Sequence, residues 1–136
     1  MQAVEEFNKV LKNVVTKLSL NNKTAEVDRF KKRIRTVIDI TPFLIFENSI
    51  DHIWQYRKEI SNIYDGHNYN WDTFYNFQVD ESLITEDKNY VLTLISIIKE
   101  TFMNASEQEK IEVYDDLIKI LEIIAIHRKE LKAKKD

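Results

Sequence analysis

Only one glycine (Gly66) and one proline (Pro42) punctuate this chain of 136 residues. Tight turns, hairpins and phosphate-cradling loops depend on those two residue types, so a chain nearly without them has little to build but helices. A Walker loop or a dinucleotide fingerprint needs several glycines at fixed spacing and is excluded. Cysteine is absent, which removes disulfides, thiolate metal sites and cysteine nucleophiles. The expectation is an all-α protein: a single-domain bundle over residues 1–136, with five main helices and a short helix in an aromatic irregular segment.

Hydrophobic periodicity places those helices. Val4, Phe7, Leu11, Val14 and Leu18 alternate three- and four-residue steps, which is one apolar stripe on a helix. After the polar run Ser19–Lys23 a second stripe follows at Val27, Phe30, Ile34 and Val37, with Thr24 placed as its N-cap. The short link predicts an antiparallel helical hairpin. Pro42 pushes the residue before it out of helical geometry and ends the second helix. A third helix is predicted from about Asn48 to Ile60. Asn70 or Asp72 would open a short helix through Phe77. Thr85, with Glu86 and Asp87, opens a helix reaching Phe102. Ser106-Glu107-Gln108-Glu109 is a capping box for a last helix to about Lys132, and the basic end, about 129–136, is predicted to fray. These two form a second hairpin turning at Asn104-Ala105.

Ten of the fifteen aromatic residues lie between Phe43 and Phe77. So many rings must be covered, either by the protein's own core or by a partner on a patch made of Tyr69, Trp71, Phe74 and Tyr75. The core version predicts that Trp54, Tyr56, Trp71 and Phe74 pack together, with Trp71 folding the irregular segment onto the third helix. The last helix is apolar over a wide arc, so it is either central to the bundle or covered by another subunit. In a homodimer Tyr114, Leu117, Ile120 and Ile124 would meet their symmetry mates.

The net charge of −3 hides an asymmetry: residues 1–40 hold nine Lys/Arg against five Asp/Glu, and residues 41–90 hold three against nine. Arg29, Lys31, Lys32, Arg33 and Arg35 wrap the second helix, and Lys132, Lys134 and Lys135 crowd the end. Together they are a candidate phosphate-binding surface for nucleic acid, although a sequence pI near 5.7 is low for such a domain. Residues 64–81 carry no Lys or Arg, so the aromatic segment suits a protein partner better than a nucleic acid. His52, His67 and His127 show no ligand spacing, and the carboxylate pairs Asp80-Glu81, Glu86-Asp87 and Asp115-Asp116 are expected to be exposed helix-end acids rather than a catalytic pair. No catalytic, metal-binding or cofactor-binding residue is therefore assigned. No run of apolar residues is long enough to span a bilayer, and MQAVEEFNKV lacks the apolar core of a secretory signal. The expected location is intracellular and cytoplasmic.

The order of several segments resembles a type of small helical protein encoded by nucleocytoplasmic large DNA viruses, the giant viruses. The segments are FNKVLKNVV (Phe7 to Val15), the lysine-rich second helix, Thr41-Pro42, FLIFENSIDHIWQYRKEI (Phe43 to Ile60), Asp72-Thr73-Phe74-Tyr75 and the closing helical hairpin. The resemblance implies a non-enzymatic component of a virion or virus factory, with viral or host protein partners and no transferable active-site residues. From the residues themselves the expected function is that of a helical interaction or scaffold protein that self-associates. The alternative is sequence-nonspecific association with nucleic acid.

Overall fold

The computed structural model describes residues 2–21, 24–76, 92, 96 and 99–135. The fold is all-α: α1 (Gln2–Asn21), α2 (Ala25–Ile40), α3 (Leu44–Gln55), α4 (Arg57–Ser61), α5 (Trp71–Asn76), α6 (residues 99–104) and α7 (Glu107–Lys135). The one β feature among the described residues is an isolated antiparallel bridge between Tyr64 and Tyr69.

Local chemistry explains most boundaries. Thr24 Oγ1 accepts the Val27 amide at 3.3 Å, and Ser106 Oγ accepts that of Glu109 at 3.2 Å, so both predicted N-caps are formed. The α6–α7 turn falls at Ala105, whose amide reaches the Phe102 carbonyl. The predicted start at Thr85 lies outside the described residues.

Two predictions are corrected here. The third helix begins at Leu44 rather than Asn48, because Pro42 stands in the turn just before it, where a missing N–H costs nothing. It also breaks at Tyr56, whose amide takes the Ile53 carbonyl in a tightened last turn before α4 restarts at Arg57. The basic end predicted to fray from about residue 129 is instead helical, since α7 runs on through Lys135. Ala133 and the lysines are strong helix formers, and cations suit the negative end of the helix dipole.

The two long helices, α1 and α7, lie antiparallel along the middle of the bundle. Lys17 pairs with Asp116 near one end, while Val4 and Phe7 meet Ile120 and Ile124 near the other. α2 runs back along α1: Arg35 reaches Thr16, Lys12 pairs with Asp39, and Asn8 Nδ2 donates to the Pro42 carbonyl. The core has two parts. Val4, Phe7, Phe46, Ile120 and Ile124 fill one, and Val14, Ile63, Trp71, Phe102, Val113 and Tyr114 fill the other. Each of the two long helices contributes to both.

Asp116 sits 3% exposed, with Lys17 Nζ at 2.7 Å and Lys119 Nζ at 3.8 Å. Removing Lys17 strips the close partner from a buried carboxylate. Lys17→Met is therefore expected to lower stability by about 1–2 kcal/mol in urea unfolding at neutral pH, after allowing for the partial exposure of Lys17. Lys119→Met should cost under about 0.5 kcal/mol, since that lysine is mostly in water. Equal effects would mean that burial of Asp116 does not depend on Lys17.

Candidate functional site

The break at Tyr56 has a consequence beside it. Restarting the helix at Arg57 turns that side chain back over the ring of Trp54, with the guanidinium carbon 4.7 Å from the ring centroid and Nη1 donating to the Trp54 carbonyl at 2.9 Å. From α7, Arg128 approaches the same ring at 5.1 Å while its Nη1 holds Asp51 at 3.2 Å. Trp54 is half-buried and forms the middle of a shallow groove between α3–α4 and α7. The floor is apolar, with Ala125, Ile118 and Leu131 alongside the indole. The rim is cationic: Arg57 and Lys58 on one side, Arg128, Lys129 and Lys132 on the other, with Glu122 as the acid among the lining side chains. Such a site offers guanidinium forks for carboxylate or phosphate above a surface that prefers aliphatic contact.

Sequence reasoning placed Trp54 with the third helix and Lys132 at the basic end without bringing them together. Ala125, Arg128 and Lys132 recur at three- and four-residue steps, and that spacing is the signal that they share a face.

The proposed dimer residues are corrected. Ile124 is 0% exposed, and Tyr114 and Ile120 are equally inaccessible, because α1, α3 and α4 cover them; Leu117 is half-buried against the same core. Tyr114 is instead a lock inside the fold: its hydroxyl donates to the Ile60 carbonyl at 2.8 Å and accepts the Tyr64 amide at 3.4 Å. Burial pushes its phenol above the ordinary value.

The aromatic patch is corrected in part. Trp71 is buried; its indole N–H is shared by both carboxylate oxygens of Glu107 at 3.0 and 3.1 Å, and its ring stacks on Tyr69 and meets Phe102 edge-on. Phe74 packs on Phe102 at 4.4 Å. Trp71 thus folds the irregular segment onto α6 and α7, while Trp54 belongs to the other half of the core. The four-ring cluster on the third helix is not formed. Tyr75 remains exposed. A tight loop supports this arrangement: Asp65 Oδ1 accepts the Asn68 and His67 amides at 2.7 and 2.8 Å, which holds its carboxyl below the usual carboxylate range. Gly66 completes the loop with φ +100°, a conformation that side-chain-bearing residues rarely adopt.

The two basic clusters do not merge. Arg35 lies beside Thr16, with Lys31, Lys32, Arg33 and Arg29 farther toward the C-terminal end of α1, while Lys132 and Lys134 lie at the other end of the bundle, where Lys134 lines a groove with Gln2 and Glu6. Fourteen residues of α1, roughly 21 Å of helix, separate Gln2 from Thr16. Arg29, Lys32 and Arg33 are exposed, and the Lys135 side chain lies outside the described residues.

Among the described residues no group of three or more His, Asp or Glu side chains comes together in metal-binding geometry, and no helix is long and apolar enough to cross a membrane. The fold and groove define a helical bundle with a basic, aromatic-floored surface. No protein-family model, curated protein or solved structure matches the chain.

Proposed function

We propose that this chain is a non-enzymatic helical interaction protein that docks an acidic, amphipathic segment of a partner protein in the Trp54 groove. The observation that carries this reading is the pairing of an apolar floor with a cationic rim, centred on an indole already contacted by Arg57 and Arg128. An amphipathic helix offers both complements at once, apolar anchors for the floor and carboxylates for the rim. Single-stranded nucleic acid offers phosphates but needs an open ring face for base stacking, and the guanidiniums compete for that face here. The overall net charge of −3 also disfavours a generic polyanion binder. Following the sequence resemblance, the proposed setting is a virion or virus factory.

The second reading, sequence-tolerant nucleic-acid binding, is favoured by the exposed Arg29, Lys32 and Arg33 on α2. One titration separates the two. A fluorescent amphipathic peptide of alternating leucine and glutamate pairs and a single-stranded oligothymidylate are each added at low salt to wild type, to K129E/K132E and to R29E/K32E. The groove reading expects the peptide to bind wild type and to weaken on the order of tenfold or more in K129E/K132E alone. An oligonucleotide that binds and loses affinity in R29E/K32E, with no peptide binding, establishes the second reading and removes the first.

A further inference from the structure

The flank of α7 beside the N-terminal end of α1 carries a pattern that the Trp54 groove does not use. Lys119, Ile123, Ile126 and Glu130 follow one another at steps of four, three and four, which keeps them on a single stripe of the helix. The stripe is accessible. Ile126 is 57% exposed, the Lys119 side chain 62%, Glu130 is exposed, and Ile123 is half-buried where Ala3 of α1 borders it. Ile126, mostly in water, stands on this stripe between a cation and an anion, with half-buried Ile123 one turn before it.

The order of charges says what kind of cover fits. Along the stripe it reads cation, isoleucine, isoleucine, anion. A second α7 laid antiparallel, with a two-fold axis between positions 124 and 125, puts each residue opposite the one whose number completes the sum of 249. Ile123 then meets the partner's Ile126, and Lys119 meets the partner's Glu130, each contact occurring twice by symmetry. Parallel pairing would set Lys119 against Lys119 and Glu130 against Glu130. Sliding the antiparallel pair by four residues, about one turn, would set Ile123 against Glu130. One register satisfies the apolar and the charged positions together.

We infer that the exposed stripe of α7 is an isologous homodimer surface, occupied by α7 of a second copy in this antiparallel register. Such a seam is narrow, and polar residues at its outer layers set register at a cost in strength, so the dimer forms only at micromolar concentrations and above. The inference stands apart from the Trp54 groove: it uses the flank of α7 beside α1 and rests on self-complementarity rather than on an acidic partner.

Sedimentation equilibrium of the full chain, from about 1 μM to 1 mM, tests it. Wild type is expected to pass from monomer to dimer across that range. I126E should need a concentration at least about 100-fold higher to dimerise, with an unchanged helical circular dichroism spectrum, since Ile126 contributes little to the single chain's core. K119E alone and E130K alone should each weaken the dimer about tenfold, and K119E/E130K together should return it to near the wild-type value. A wild type that stays monomeric to 1 mM overturns the proposal. So does a dimer indifferent to I126E, or a double variant no tighter than the single ones.

Discussion

Replacing Trp71 by alanine is expected to destabilise the protein by about 3–5 kcal/mol, read as a shift in the urea midpoint at unchanged slope. The indole is 9% exposed, stacks on Tyr69, meets Phe102 and Tyr114 edge-on, and gives its N–H to Glu107. Its loss therefore opens the junction of the loop, α6 and α7 at once, and removes the hydrogen bond to Glu107. Trp71→Phe keeps most of the packing and should cost about 1–3 kcal/mol, the value of the lost charge-assisted hydrogen bond. A double-mutant cycle between Trp71 and Trp54 should be additive within about 0.5 kcal/mol, because the two indoles belong to different halves of the core. A coupling energy well above that would restore the single aromatic cluster that the structure replaces.

Phe46→Ala should cost a similar amount, about 3–5 kcal/mol. The Phe46 ring is 1% exposed and meets Phe7 edge-on at 5.2 Å and His127 at 4.9 Å, so it touches both long helices from α3. Its neighbour in the same hydrophobic run is the control. Phe43 is 43% exposed at the mouth of the α2–α3 turn, and Phe43→Ala should change stability by no more than about 0.5 kcal/mol. The contrast is read by thermal or urea melts of the two variants side by side. Equal losses would mean that the run packs as a unit rather than along one helical face.

The pair Phe43 and Phe46 shows where the sequence ceases to be legible. Both stand in FLIF just after Pro42, and their composition is the same; the difference is whether α3 has begun. Proline was read as a stop for α2, which is right, but it also stands where a following helix can start, since the first-turn amides need no partner within the helix. With α3 begun at Leu44, the three-residue step turns Phe46 inward and leaves Phe43 at the turn. Tyr56 is the same problem in reverse. Nothing between Ile53 and Ile60 announces a break, yet the break aims Arg57 at Trp54 and so makes the groove.

The aromatic segment divides in the same way. That its rings would be covered followed from composition, because several exposed indoles and phenols forgo too much burial. Which surface covers Trp71 did not follow: the partners are Phe102 and Tyr114, with Glu107 on the indole N–H, separated from it by roughly thirty to forty positions in the chain.

The helices themselves, the antiparallel α1–α2 hairpin, the α6–α7 turn and the caps at Thr24 and Ser106 were written locally. Each depends on side chains within about four positions of one another, through hydrogen bonds to free amides and the 3.6-residue repeat. Which apolar faces meet is a different kind of quantity. Tyr114, Ile120 and Ile124 share their residue types with any exposed dimer seam, and they are interior because α1, α3 and α4 close over that side of α7. The stripe left in water is the one holding Lys119, Ile126 and Glu130. Burial is non-directional and is summed over the whole packed surface, so no local window of sequence can say which side of a helix will be covered.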